Sequence, residues 1–226
     1  MRWPTSSSPR RPVRRHRRAG RVVWLVLLAA VPVRAACDST ASCLKAIEAA
    51  QANARSVSAR FTQTKHLSLL DEPLVSTGRF MFKRPDRVRL DIESPRAATI
   101  VINGREISIP GISERDKQQL AMTPMASMFS ELGGMFGGST SALRQHFQVA
   151  AAPVDGAIEV TLTPTVPAWQ RLFRTIQLRF AEPDLVLSSM RLDDALGDRL
   201  DIVMSDVQRN RDLPDSLFTI EPTPAQ

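Results

Sequence analysis

The sequence predicts a mainly β fold, in which an up-and-down antiparallel sheet is accompanied by a few helices. The clearest pattern lies in residues 61–109, where Val88, Leu90 and Ile92 alternate with charged residues, as in a strand with one buried and one solvated face. In the same region Asn103-Gly104 stands between two apolar runs, which is a strong hairpin signal because both residues accept positive φ. Strands do not alternate with helical patterns, so a doubly wound fold is excluded.

An arginine-rich leader accounts for the basic character of the chain. Nine of the 30 lysines and arginines lie within residues 1–35, where no acidic residue occurs, and the rest of the chain carries 21 basic against 23 acidic residues, a net charge of −2. The arginines precede an apolar run over residues 22–33 and small residues before Ala36, which is the order of a secretory signal peptide. We therefore expect cleavage before Ala36, export to the periplasm and no nucleic-acid partner. A retained signal anchor is the alternative, which the short apolar run and Pro32 both disfavour.

The rest of the chain has the length of one domain with a single core. Residues 36–220 contain no internal repeat and no long linker, so they are predicted to form one domain. Residues 221–226 carry two prolines and no apolar face, and are predicted to be a flexible tail.

Both cysteines, Cys37 and Cys43, lie at the start of this domain. In an exported protein two nearby thiols can oxidise, so a disulfide between them is the favoured interpretation. The alternative is acylation of Cys37, since Ala35-Ala36-Cys37 is similar to the end of a lipoprotein signal, although Arg34 stands where that signal has an aliphatic residue. Two sulfurs without a neighbouring histidine do not complete a coordination shell, so no metal site is predicted.

Helical patterns occur in two places. Ser39 or Thr40 can cap a helix that runs to about Ser56, and its apolar stripe predicts packing across the sheet. A second helical segment, residues 114–133, is interrupted by Pro124, which predicts two short helices instead of one.

The second helical segment is a candidate lid. Its apolar residues are Leu120, Met122, Met125, Met128, Phe129 and Leu132. Unbranched thioether side chains pack against surfaces of variable shape, which suits a lid over a changing apolar ligand. Ordinary core packing is the alternative, and it is the simpler explanation of a methionine stripe alone.

Further strands flank the meander. They are predicted at residues 57–67, 147–151, 158–162, 175–180, 185–192, 200–207 and 217–220. Turn residues such as Asp155-Gly156 separate them at spacings typical of an up-and-down antiparallel sheet.

A co-linear series of short motifs resembles the periplasmic outer-membrane lipoprotein carrier family (LolA-type). The motifs are Phe61-Thr62-Gln63-Thr64, Gly78, Lys83-Arg84-Pro85, Ser94-Pro95, Asn103-Gly104, Leu162-Thr163-Pro164 and Phe218-Thr219-Ile220-Glu221-Pro222. Each motif is weak by itself, and their order and spacing over nearly the whole exported chain make the resemblance specific.

The resemblance implies an unclosed antiparallel β-barrel of eleven strands, a half-barrel with an α-helical lid over its concave apolar face. It implies a carrier that holds the acyl chains of lipoproteins, or of a related lipid, and moves them from the inner to the outer membrane. The expected partners are this acylated cargo, an inner-membrane release complex and an outer-membrane acceptor, with the carrier itself a monomer. By the same resemblance, Arg84 is the residue that hydrogen-bonds to the lid and keeps the empty cavity closed.

One face of the meander is a candidate cavity wall, formed by Phe80, Phe82, Val88, Leu90 and Ile92. An open sheet must bury such a face, and a weakly held lid can be displaced by acyl chains, which contribute about 0.8 kcal/mol per buried CH₂. Simple core packing is the alternative for each of these residues. Arg84 shares the parity of Phe80 and Phe82, so it is predicted to face inwards, whereas a register error of one residue would turn it to solvent.

Two other functional classes stay open. A lipid-anchored outer-membrane acceptor of the same fold depends on acylation of Cys37. A periplasmic hydrolase is disfavoured because the exported chain holds two histidines, His66 and His146, and no nucleophile motif. Asp193-Asp194 is interpreted as a solvated turn and not as a catalytic pair. We therefore predict no catalytic residue and no cofactor.

Overall fold

The computed structural model describes residues 37–104, 106–109 and 143–220. Within these ranges the chain forms ten strands, three α-helices and one 3₁₀ helix. In chain order they are α1 (Thr40–Gln51), β1 (Ser56–His66), β2 (Leu74–Lys83), β3 (Arg87–Ser94), β4 (Ala98–Asn103), β5 (Glu106–Ser108), α2 (Leu143–His146), β6 (Phe147–Val154), β7 (Ala157–Pro164), α3 (Pro167–Gln170), β8 (Phe173–Ala181), β9 (Val186–Asp194), β10 (Arg199–Arg209) and the 3₁₀ helix (Asp215–Phe218).

All ten strands belong to one antiparallel sheet in the order β5-β4-β3-β2-β1-β10-β9-β8-β7-β6. Two meanders, β1–β5 and β6–β10, therefore meet where the first strand pairs with the last. The end strands β5 and β6 do not pair with each other within the described ranges, so this sheet is open. The predicted fold class, a mainly β and unclosed antiparallel sheet with helices, is confirmed, with ten strands described where the resemblance implied eleven.

The sheet has an apolar inner face and a largely polar outer face. In β1 the alternate residues Val57, Ala59 and Phe61 are buried on the inner face, whereas Arg60 is exposed on the outer face. This period of two continues across the sheet through the antiparallel register, because residues that pair across neighbouring strands project to the same side. The apolar side chains of neighbouring strands thus come together on the inner face.

Helix α1 packs on the part of the inner face formed by β6–β9. Ser39 caps the helix in a capping box with Ser42, which satisfies its first amide groups. Leu44 and Ile47 are 2 % and 0 % exposed in the core formed with these strands. The helix ends at Gln51 and not near Ser56 as predicted, because Ser56 already pairs with β2 and the chain needs the intervening residues to turn from helix to strand.

The predicted strand at residues 217–220 is wrong. The chain forms a 3₁₀ helix there on the outer face, and the buried Leu213 and Phe218 of this segment pack against Met81 and Val101. Side chains of the sheet donate hydrogen bonds to the backbone carbonyl groups of this segment. The Arg89 guanidinium, for example, donates to the carbonyl oxygen of Leu217 at 2.9 Å. The apolar residues of this segment therefore pack onto the outer face of the sheet, and the segment does not pair with the sheet as a strand.

No α-helix in the described part of the chain is long and apolar enough to span a bilayer.

Candidate functional site

All five predicted wall residues lie on the inner face of β2 and β3. Phe80 pairs with Leu90, and Phe82 pairs with Val88, directly across the two strands. Ile92 lies opposite Gly78 and belongs to the same apolar cluster. Phe80 and Phe82 are 7 % and 0 % exposed, whereas the three residues on β3 are partly buried. The geometry thus brings the five residues together in one surface, while their role in binding stays a prediction.

The sequence reasoning missed half of this apolar cluster. Its other members come from β1 and β10: Val57, Phe61, Ile202, Met204 and Val207. Simple alternation could not have assigned Met204 and Val207 to one face, because they are three residues apart. A β-bulge in β10, where Asp206 has a φ of 51°, brings both to the inner side.

Gly78 allows two strands and an aromatic ring to approach closely at this cluster. A Cβ atom at this position would lie 2.1 Å from the carbonyl oxygen of Asp91 and 2.9 Å from the ring of Phe61. Glycine is therefore the residue type that lets Phe61 lie over β2. This explains physically why a glycine stands at that point of the wall.

Helix α1 does not contribute to the cluster around Phe80 and packs instead in the neighbouring core under β6–β9. Met204 contacts both groups, so the two parts of the inner face are continuous. The predicted lid residues Leu120, Met122, Met125, Met128, Phe129 and Leu132 lie outside the described residues, and their role stays a prediction.

Arg84 connects the end of β2 to the end of helix α1. Its Nη2 atom donates to the carbonyl oxygens of Gln51 and Ala52, at 3.1 Å each. The Gln51 carbonyl oxygen also accepts the backbone N–H of Ala54 at 2.9 Å, and the negative end of the helix dipole favours a cation at this position. Among the described residues, Arg84 therefore bonds to the end of α1. The role of Arg84 as a latch for the lid stays a prediction.

A second arginine holds the same end of helix α1. Arg209, at the end of β10, donates from Nη1 to the carbonyl oxygen of Ala50 at 2.9 Å. Its other terminal nitrogen lies 3.3 Å from the carboxylate of Asp184. The last turn of α1 is thus bound by guanidinium groups from two strands, and sequence periodicity gave no indication of the second.

The outer face beside the site carries charge networks. The buried carboxylate of Asp91 accepts from Arg89 at 2.9 Å and from the Thr99 hydroxyl at 2.8 Å. At the 3₁₀ helix, the hydrogen bond from the Lys83 ammonium group lowers the pKa of Asp215, and the charge of the nearby Arg87 adds to the effect. These polar contacts lie on the face of the sheet opposite the cluster around Phe80.

The residues considered for catalysis have structural partners. His66 lies 3.7 Å from the Asp201 carboxylate, and the ring of His146 stacks on Trp169 with centroids 5.8 Å apart. Asp194 accepts the backbone N–H groups of Leu196 and Asp198 at 2.8 Å each, which forms a turn. Within the described ranges no group of three histidine, cysteine or acidic residues could hold a metal ion.

The two cysteines form a disulfide at the start of helix α1. Cys37 and Cys43 are 6 % and 0 % exposed, and their Cα atoms are 4.8 Å apart. The disulfide attaches the residues before α1 to the first turn of the helix. The N-terminal end of α1 is thus fixed by the disulfide, and its C-terminal end by hydrogen bonds from Arg84 and Arg209.

Comparisons with known proteins agree with this architecture. The family model of the outer membrane lipoprotein carrier protein LolA matches residues 52–221. The outer-membrane lipoprotein carrier protein of Chromohalobacter salexigens is 26 % identical over 145 residues, which cover 64 % of this chain and 66 % of that protein. The protein of the same description from Hahella chejuensis is 26 % identical over 172 residues, which cover 75 % of this chain and 79 % of that protein.

Among solved structures, the Pseudomonas aeruginosa MucA/MucB complex contains a chain similar in fold, with a TM-score of 0.50 and 10 % identity over 80 % of this chain and 61 % of that one. The family model extends over most of the chain, from the end of helix α1 past the 3₁₀ helix on the outer face. The open antiparallel sheet, the predicted motifs and this match lead to one conclusion: the chain belongs to the LolA family of outer membrane lipoprotein carrier proteins.

Proposed function

We propose that this protein is a periplasmic carrier that holds the acyl chains of outer-membrane lipoproteins on the inner face of its sheet and moves them from the inner to the outer membrane. In this proposal residues 1–35 are the signal peptide, residues 36–220 the carrier domain and residues 221–226 a flexible tail. The observation that carries the proposal is the apolar cluster around Phe80, which lies on the part of the inner face that helix α1 does not cover.

The chemistry of this cluster favours acyl chains as the ligand. Its side chains are aliphatic, aromatic or thioether groups from four strands, so they offer a continuous apolar surface, and the guanidinium group of Arg209, opposite Val57, lies beside it. An acyl chain gains about 0.8 kcal/mol for each CH₂ group that it buries on such a surface. A lid formed by the methionine-rich segment would compete with the cargo for the same surface, which keeps binding reversible.

Arg84 is proposed to couple cargo binding to the position of helix α1. Its bonds to Gln51 and Ala52 stabilise one position of the helix end beside the wall. Charge-assisted bonds of this kind contribute roughly 1.5–3 kcal/mol each when buried. Because the contact to Ala52 is exposed, the pair is weak enough to break when a long acyl chain enters.

The disulfide favours a carrier over a lipid-anchored acceptor of the same fold. Acylation of Cys37 and its disulfide with Cys43 use the same sulfur atom, so one excludes the other. We therefore propose a monomeric protein that receives its cargo from an inner-membrane release complex and transfers it to a separate outer-membrane acceptor.

Native mass spectrometry of the protein purified from the periplasm tests the cargo directly. We expect an acyl-bearing molecule to co-purify in a one-to-one complex. Replacement Leu90→Glu places a carboxylate on the wall, whereas Val203→Glu places one on the exposed outer face and serves as the matched control. A fluorescent lipopeptide should be retained by the wild type and the Val203 variant and lost by the Leu90 variant.

Equal retention by both glutamate variants would mean that the cargo does not bind to the inner face. Multiple turnover of an ester substrate, in place of stoichiometric retention, would support a hydrolase instead. Detection of diacylglycerol on Cys37 by mass spectrometry of the N-terminal peptide would support the anchored acceptor.

A further inference from the structure

Two hairpins expose leucine side chains at the same end of the sheet. The β1–β2 turn carries Leu69, which is 94 % exposed, and the β9–β10 turn carries Leu196, which is 83 % exposed. Strands β1 and β10 pair up to their ends, where His66 lies opposite Arg199, so these two turns are neighbours. Among the described residues no other large apolar side chains are as exposed. We call this pair of turns the leucine tips.

Polar contacts fix the leucine tips relative to each other. The backbone N–H of Ser68 donates to the Asp198 carboxylate at 2.7 Å, which joins one turn to the other. The Asp194 carboxylate holds the β9–β10 turn by accepting from the N–H groups of Leu196 and Asp198. The leucines are therefore presented by an ordered scaffold, and their exposure is not explained by a need to pack within the chain.

We propose that the leucine tips are a lipid-contacting surface, which inserts Leu69 and Leu196 shallowly into the boundary between headgroups and acyl chains of a bilayer. Hairpin turns are convex, and a bilayer closes around two separate projecting side chains, whereas a protein partner would need two matching pockets. Burial of two leucines gives weak and reversible adsorption, as a single short acyl chain does. Such adsorption suits a protein that must leave the membrane again.

The charges beside the tips define the kind of membrane. Asp71 and Glu72 follow the β1–β2 leucines directly and are exposed. Basic groups are also present: Arg199 is paired with Asp201 at 3.3 Å, the Arg174 guanidinium donates to the carbonyl oxygen of Ala195 beside Leu196, and Lys65 is close enough to Asp198 to act on its charge. The tips therefore carry charges of both signs, and we infer that Asp71 and Glu72, which stand directly beside the leucines, oppose adsorption to anionic headgroups and favour a zwitterionic lipid surface.

This inference goes beyond acyl binding on the inner face, because the leucine tips lie outside the Phe80 cluster. The two are separable by experiment. Retention of a soluble lipopeptide reports on the inner face, and adsorption of the protein without cargo to vesicles reports on the tips.

Vesicle flotation with the full chain as isolated from the producing cell, with its N-terminus checked by mass spectrometry, tests the proposal. The vesicles are phosphatidylcholine alone or phosphatidylcholine with phosphatidylglycerol. We expect Leu69→Ser and Leu196→Ser each to weaken adsorption to phosphatidylcholine about tenfold, since each removes one buried leucine. Val203→Ser, which removes an exposed valine from the outer face, is the control and should change adsorption less than about twofold.

The acidic pair gives a second, independent result. Replacement of both Asp71 and Glu72 by their amides should strengthen adsorption to vesicles with phosphatidylglycerol by roughly fivefold for each charge removed. Adsorption unchanged by both leucine variants, or reduced equally by Val203→Ser, would overturn the proposal. Loss of self-association in these variants without an effect on vesicles would show instead that the tips join copies of this chain. Thermal unfolding confirms that every variant is folded.

Discussion

Replacement of Arg84 by leucine tests whether the end of helix α1 is a movable element. The substitution removes both hydrogen bonds from Nη2 to Gln51 and Ala52 and adds apolar surface next to the wall. The helix should then leave its closed position more often, and acyl cargo should be held longer and released more slowly. The sheet should fold normally, because none of its backbone hydrogen bonds involves the guanidinium group.

The size of the effect follows from the two contacts. Each 3.1 Å bond from a cation to a carbonyl contributes roughly 1.5–3 kcal/mol when buried, and the exposed position of one acceptor reduces the sum to about 2 kcal/mol. A loss of about 2 kcal/mol shifts the ratio of open to closed forms about thirtyfold. Arg84→Lys should give an open-to-closed ratio between those of the wild type and Arg84→Leu, because lysine keeps the charge but lacks the planar guanidinium group.

Two measurements check this prediction. Amide hydrogen exchange in the last turn of α1 should accelerate by the same factor in Arg84→Leu, and transfer of a fluorescent lipopeptide from loaded carrier to acceptor membranes should slow down. Arg209→Leu is the comparison, since it removes the bond to Ala50 and the contact with Asp184 and leaves the five wall residues of β2 and β3 in place. Faster exchange in Arg209→Leu with normal transfer would assign the transfer defect to Arg84 itself. Unchanged exchange and transfer in Arg84→Leu would refute the latch.

Three further predictions concern stability. Gly78→Ala should cost about 3 kcal/mol of unfolding free energy, because its Cβ would clash with the Asp91 carbonyl oxygen; in the same denaturant titration Gly156→Ala, at φ +70° with open space, should cost about 1 kcal/mol. Cys37→Ser opens a loop of six residues and should cost about 2 kcal/mol, measured with and without reductant. Because the folded pKa of Asp215 is depressed, its stabilisation of the 3₁₀ helix is present above the ordinary aspartate pKa and is lost as pH falls through the lower folded value. Protection of the helix amides, corrected for the intrinsic pH dependence of exchange, should fall over that range, and Asp215→Asn should remove this fall.

Local patterns predicted that the five wall residues share one face of the sheet, which is where the structure has them. The pairings of Phe80 with Leu90 and of Phe82 with Val88 follow from alternation plus one tight turn, because a short hairpin fixes the register of both strands. The inward position of Arg84 could be predicted for the same reason. Its partner could not, since nothing in the sequence indicates that the end of α1 lies beside the end of β2.

Nonlocal pairing explains what the sequence could not predict. Strand β10 contributes Ile202, Met204 and Val207 to the cluster around Phe80 only because it pairs with β1 and contains a bulge, and neither feature produces a periodic pattern in the sequence. The segment around Phe218 alternates like a strand, yet its backbone bonds to side chains of the sheet. Sequence patterns did not predict the leucine tips, because turns have no hydrophobic periodicity that would show whether a leucine is buried or exposed.

The position of β1 beside β10 has a consequence for how the chain acquires its structure. Each meander can form from local hairpins as the chain emerges, but the contact that unites them joins Val57 to Arg209. The central strand pair of the sheet therefore forms only after the last strand has been synthesised, and until then apolar surface stays open to water and to other chains. A protein cut short before Arg199 would lose the central strand and not an edge, so premature termination near the C-terminus should leave two unstable half-sheets.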